Sequence, residues 1–90
     1  MIEATITVRH PVGLHARPAA VFAKTAQGYQ AKVTVRNVTR DTRPVDAKSI
    51  LSIFKAAVAK DHTIHITADG ADEHDALTAL VKLIEDNFGE

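Results

Sequence analysis

Gly13-Leu14-His15-Ala16-Arg17-Pro18-Ala19-Ala20 stands between a segment that alternates with the period of a strand and one that repeats with the period of a helix. Pro18 suits the first turn of a helix, where its missing N–H would find no intrahelical partner, and Ala19 and Ala20 propagate the helix. Gly13 lets the chain approach closely. The stretch sets an imidazole, His15, two positions from a guanidinium, Arg17, at a helix start, where unpaired N–H groups and the positive dipole end favour an anion. These residues predict a phosphate site that carries its own nucleophile.

Upstream, Ile2, Ala4, Ile6 and Val8 alternate with Glu3, Thr5, Thr7 and Arg9, which marks a strand with one buried face, broken by His10-Pro11-Val12-Gly13. Downstream, residues 18–27 fit a short helix with Val21, Phe22 and Ala26 inward, closed by Gly28. Ala31, Val33 and Val35 predict a second strand, residues 37–43 a polar turn, and Arg43-Pro44-Val45 a short edge strand, since Pro44 cannot donate to a ladder. Asp46-Ala47-Lys48-Ser49 offers capping residues for a second helix starting near Ser49. Ile50, Leu51, Ile53 and Phe54 cover roughly 160° of it, wider than the roughly 100° stripe of a surface helix. Part of that face is core, and part is expected to stay exposed for a partner. A further strand over 63–68 points Ile64, Ile66 and Ala68 inward, and Asp69-Gly70 turns the chain. Ala76, Leu77, Leu80, Leu83 and Ile84 line the last helix, with Asp72, Glu73 and Asp75 in its first turn, where the dipole favours acids. The order β-α-β-β-α-β-α predicts an α+β fold, one layer of helices over one face of a four-stranded, mostly antiparallel sheet.

Ninety residues are read as one domain spanning 1–90. Eleven basic residues balance eleven acidic ones, and aromatic residues make up only 4%, so neither a basic field nor stacking platforms argue for nucleic acid. No apolar stretch approaches the length of a membrane span, and the absence of Cys removes disulfides and thiolate metal sites, which fits a reducing cytoplasm. His10, His62, His65 and His74 are expected to be solvated rather than metal ligands: His62 and His65, three apart on a strand, would face opposite ways. No cofactor is implied. Paired catalytic carboxylates and a Gly-rich nucleotide loop are absent.

The motif from Gly13 to Ala19, its place after the first strand, Asp46-Ala47-Lys48-Ser49-Ile50 and the Gly-Ala-Asp-Glu opening of the last helix resemble HPr, the histidine-containing phosphocarrier family of the bacterial phosphoenolpyruvate-dependent sugar phosphotransferase system. The resemblance runs over essentially the whole chain and implies an open-faced β-sandwich. It implies a relay in which His15 takes a phosphoryl group on Nδ1 from phosphorylated enzyme I and passes it to IIA components of sugar permeases, with Arg17 steadying the group. The protein would be a stoichiometric carrier and not an enzyme, expected to be monomeric and cytoplasmic. A helix start and a nearby Arg would disfavour the imidazolium and leave the ring nitrogen free to attack, then hold the anion once formed. Arg17 offers the oxygens a fork that Lys cannot.

The surface shared by the two partners is assigned to Ala16, Ala20, Lys24, Ile50, Leu51 and Phe54, the three apolar ones being core residues on the alternative reading. Ser49 has two readings. It caps the second helix, or, as in some family members, it is phosphorylated by a serine kinase that thereby weakens enzyme I docking. The hairpin before Asp46 is longer than usual in the family, and Leu51-Ser52-Ile53-Phe54 lacks the usual glycine and methionines, which counts against kinase recognition. Two other functions stay open: a regulatory or nitrogen-branch HPr relative acting mainly by protein binding, and an α+β interaction module without phosphoryl chemistry.

Overall fold

Four alternating segments, β1 (Ile2–Thr7), β2 (Lys32–Asn37), β3 (Val45–Asp46) and β4 (Thr63–Asp69), pair into one sheet in the order β1-β4-β2-β3. The computed structural model describes residues 1–11, 13–14 and 16–89; Val12, His15 and Glu90 lie outside the described residues. Every pairing is antiparallel, with Ile2 opposite Ala68, Asn37 opposite Ile64 and Thr34 opposite Asp46. The helices α1 (Ala16–Gln27), α2 (Ile50–Lys55) and α3 (Glu73–Glu85) cover one face, and a single 3-10 turn, Asn87–Gly89, follows.

The core lies between the layers. Val33, Val35, Ile64, Ile66 and Ala68 from the sheet meet Phe22 of α1, Ile53 of α2 and Leu80 of α3, all fully buried. The alternate strand positions form the open face, where Thr5 bonds His65, Thr7 bonds Thr63 and Thr34 bonds Thr67 across the strands. This is the open-faced arrangement that the element order predicts, and antiparallel throughout rather than mostly so.

Several boundaries differ from the sequence reading. The edge strand begins at Val45, after Pro44, because only there do the backbone groups meet β2. Residue 37 belongs to β2 and not to the turn: Asn37 continues the inward series of Val33 and Val35 and is fully buried. His62 precedes β4, and of the four histidines read as solvated His74 is exposed whereas His10, His62 and His65 are not. His10 is buried, its ring 5.8 Å from that of Phe88 in an edge-to-face contact. His65 bonds Thr5 at 3.0 Å, and His62 accepts hydrogen bonds that brace the loop before it.

Asp72 does more than sit at the start of α3. Its side chain makes no bond to its own helix; instead its two oxygens accept the N–H groups of Gln30 and Ala31, both at 2.8 Å, tying α3 to the entry of β2. The Gln30 N–H, then that of Ala31, hold this carboxyl below the ordinary aspartate range against the opposing effect of desolvation. A carboxyl so depressed contributes stability that is present above its unfolded value and lost as the pH falls through the folded one. Asp72→Asn is therefore expected to lower the melting temperature at neutral pH, and the difference from wild type should begin to shrink as the pH falls below about 4 and vanish only once it has dropped through the lowered folded value. Thermal melts across that range check this; a difference that persists in acid would count against it.

The α2–β4 connection carries positive φ at Ala57 (51°) and Asp61 (69°). Aspartate tolerates that region, whereas alanine pays about 1–2 kcal/mol. Ala57→Gly removes the strain at some cost in unfolded-state entropy, for an expected net gain of about 0.5–1 kcal/mol, read as a raised urea midpoint.

Candidate functional site

Position 15, the nucleophile expected from the sequence, lies outside the described residues, so the site is built from what flanks it. On one side the chain reverses at Gly13, whose N–H donates to the His10 carbonyl at 2.9 Å and whose φ is +63°. A Cβ there would stand 2.3 Å from the Val58 carbonyl oxygen and 2.7 Å from Ala59 Cα, so only glycine permits this approach. Leu14 is buried, and its N–H donates to the same Val58 carbonyl at 3.0 Å. The segment ahead of position 15 is thus pressed onto the α2–β4 connection.

On the other side α1 begins at Ala16, the residue directly after His15 and two earlier than expected. Pro18 sits in its first turn, where no amide partner is lost, and Pro18 and Ala19 are buried. Ala16 and Arg17 are exposed, Ala20 is half-buried and Lys24 exposed. At helical spacing Ala16, Ala20 and Lys24 share one stripe. A helix N-terminus with an exposed guanidinium in its first turn is suited to an anion.

The wide apolar face of α2 divides. Ile53 is fully buried, whereas Ile50 is 38%, Phe54 41% and Leu51 74% exposed. A helix of this length, lying on a core already filled by Phe22 and the sheet, inserts one side chain of the four and leaves the others outside. The core reading of Ile50, Leu51 and Phe54 is therefore overturned, and the expectation of an exposed portion holds. Gln27 Nε2 donates to the Lys48 carbonyl at 2.8 Å and Lys48 Nζ to the Tyr29 carbonyl at 2.7 Å, fastening the entry of α2 to the end of α1. Ser49 caps α2: its backbone is extended and its hydroxyl accepts the Ser52 N–H at 3.3 Å.

The supporting network went unread in the sequence. Asn37 Nδ2 donates to the carbonyls of Ala56 (3.0 Å) and Ala57 (3.4 Å) and to His62 Nδ1 (3.0 Å), while its Oδ1 accepts the Arg40 N–H (3.2 Å). A polar side chain one step beyond Val33 and Val35 on the inward register was the available signal. Among the described residues no group of three or more His, Cys, Asp or Glu could hold a metal, and no helix is long and apolar enough to cross a membrane.

The family described as the PTS HPr component phosphorylation site matches residues 2–86. The chain is 38% identical over 90 residues to the phosphocarrier protein HPr of Neisseria meningitidis serogroup A, covering 100% of this chain and 98% of that protein. It is 35% identical over 89 residues, 99% of its length, to the multiphosphoryl transfer protein of Haemophilus influenzae, of which it spans only 18%. The crystal structure of HPr-C-His from Thermoanaerobacter tengcongensis superposes with a TM-score of 0.94 at 42% identity, covering 100% of this chain and 98% of that one.

Proposed function

Because the chain belongs to the HPr family, the phosphocarriers of the phosphotransferase system, we propose that His15 accepts a phosphoryl group from phosphorylated enzyme I and donates it to IIA components of sugar permeases. The observation that carries the reading is the start of α1 at Ala16, the residue directly after His15, within a chain whose residues 2–86 match the family. In each step a bond from His15 Nδ1 to phosphorus forms or breaks as the partner's bond to the same phosphorus does the reverse. The protein ends each cycle unchanged, a stoichiometric carrier rather than an enzyme.

Such a transfer needs alignment and charge stabilisation more than covalent chemistry from the carrier. The first-turn amides of α1 and the Arg17 guanidinium supply the stabilisation, and Arg17 holds its charge at any working pH. An exposed helix start with one Arg also suits a group that must leave again, since a buried cage would retain it. Ala16, Ala20 and Lys24 on α1, with Ile50, Leu51 and Phe54 on the adjoining α2, form the partner surface. Its small apolar centre and polar rim suit brief contacts with two partners in turn. Ser49 serves there as a helix cap. The carrier works as a cytoplasmic monomer.

Incubation with labelled phosphoenolpyruvate, enzyme I and separate IIA proteins tests this. Label on His15 Nδ1 that moves rapidly to a sugar IIA is the expected result. Label that moves only to a nitrogen IIA, or no phosphohistidine at all, overturns it.

A further inference from the structure

Asn37 and His62 lie outside the partner surface and hold the ground under the site. The connection between α2 and β4 meets the site segment at two places: Leu14 N–H bonds the Val58 carbonyl at 3.0 Å, and Val8 exchanges bonds with His62 and Asp61 at 2.9 and 2.7 Å. Both ends of the turn that precedes His15 are therefore fixed to residues 58–62. Gly13, with no room for a Cβ against Val58 and Ala59, makes this contact intimate.

The connection keeps that shape against strain, with positive φ at Ala57 and Asp61. Asn37 supplies the brace. It is fully buried on β2, its own N–H donates to Thr42 Oγ1 at 2.9 Å, and its amide orientation is fixed because Nδ2 faces two carbonyls while Oδ1 faces an N–H. His62 Nδ1 then accepts from Asn37 Nδ2 at 3.0 Å and from the Ala59 N–H at 3.1 Å, which requires a ring whose proton is on Nε2.

We infer that Asn37 and His62 are positioning residues for phosphoryl transfer, setting through residues 56–62 the placement of Leu14 and hence of the nucleophile that follows it. This rests on the carrier reading above. Misplacing a reacting group by as little as an ångström can slow a reaction by up to about a hundredfold, so the brace acts on rate and not on docking.

The test compares His62→Leu, which removes the acceptor and excludes water, with His62→Asn, whose Oδ1 takes the place of Nδ1. With phosphorylated enzyme I as donor, His62→Leu is expected to lower the maximal rate of label uptake about tenfold or more while KM stays near wild type. Faster hydrogen exchange at the Leu14 amide should accompany the loss, and His62→Asn should restore both. His62→Ala carries the same expectation if His62→Leu is too unstable to assay. A wild-type maximal rate in the acceptor-less variant, or a loss that His62→Asn does not restore, overturns the positioning role. Wild-type protein that takes no label overturns the carrier reading and this inference with it, whereas labelled wild type matched by His62→Leu overturns the inference alone.

Discussion

The His15→Ala protein is expected to take no label from phosphorylated enzyme I while melting within a few degrees of wild type. No other histidine of the chain can substitute. His10 is buried against Phe88, and His62 spends its Nδ1 on two donors. His65 bonds Thr5 on the open face of the sheet, and His74 stands on α3, neither of them at the start of α1. The core between the sheet and the helices is built from other, apolar residues, so the fold is expected to keep its stability to within about 0.5 kcal/mol. Mass spectrometry of the incubated protein measures the first part and thermal unfolding the second. Phosphohistidine appearing in the variant at the wild-type level would sink the assignment, and global unfolding would sink the claim that the site and the core are separable.

Gly13→Ala is expected to be the most destabilising of the substitutions considered. Two costs add. The backbone at φ +63° charges any L side chain about 1–2 kcal/mol, and a Cβ driven to 2.3 Å from the Val58 oxygen forces backbone to move against backbone, about 1–3 kcal/mol more. The sum, about 3 kcal/mol, corresponds to a fall in melting temperature of about 10–20 °C for a chain of this size. Gly89→Ala separates the two costs, because Gly89 also has positive φ, 78°, but nothing lies within 4 Å of the added Cβ. It should lose only about 1 kcal/mol. Gly13→Ala should also slow phosphoryl uptake in the fraction that remains folded, since Leu14 must shift with it. Equal melting temperatures for the two variants would show that the close approach to Val58 and Ala59 carries no energy.

The parts of the fold legible in the sequence are those written in short-range periodicity. Ile64, Ile66 and Ala68 alternate as a strand must, Ala76, Leu77, Leu80 and Ile84 recur as a helix must, and each buries the face so marked. The presence of α1 after Gly13, though not its first two residues, and the Ser49 cap were likewise readable, because proline, glycine and serine impose local backbone chemistry. On α2 periodicity showed a face too wide to bury whole but not which side chain goes in; that Ile53 alone of the four does so is a matter of what already fills the space.

Sequence alone thus determined the element order and the inward faces, and it named the histidine–arginine pair proposed here as the site, since each is written within a few residues of chain. Tertiary structure decided which apolar side chains remain outside and what holds the loop beneath the site. Asn37 meets Ala56 and His62 across 19 and 25 residues, Asp72 meets Ala31 across 41, and Gly13 rests on Val58. Such contacts obey no repeat, because a buried polar group takes whichever donor or acceptor the finished packing brings to it.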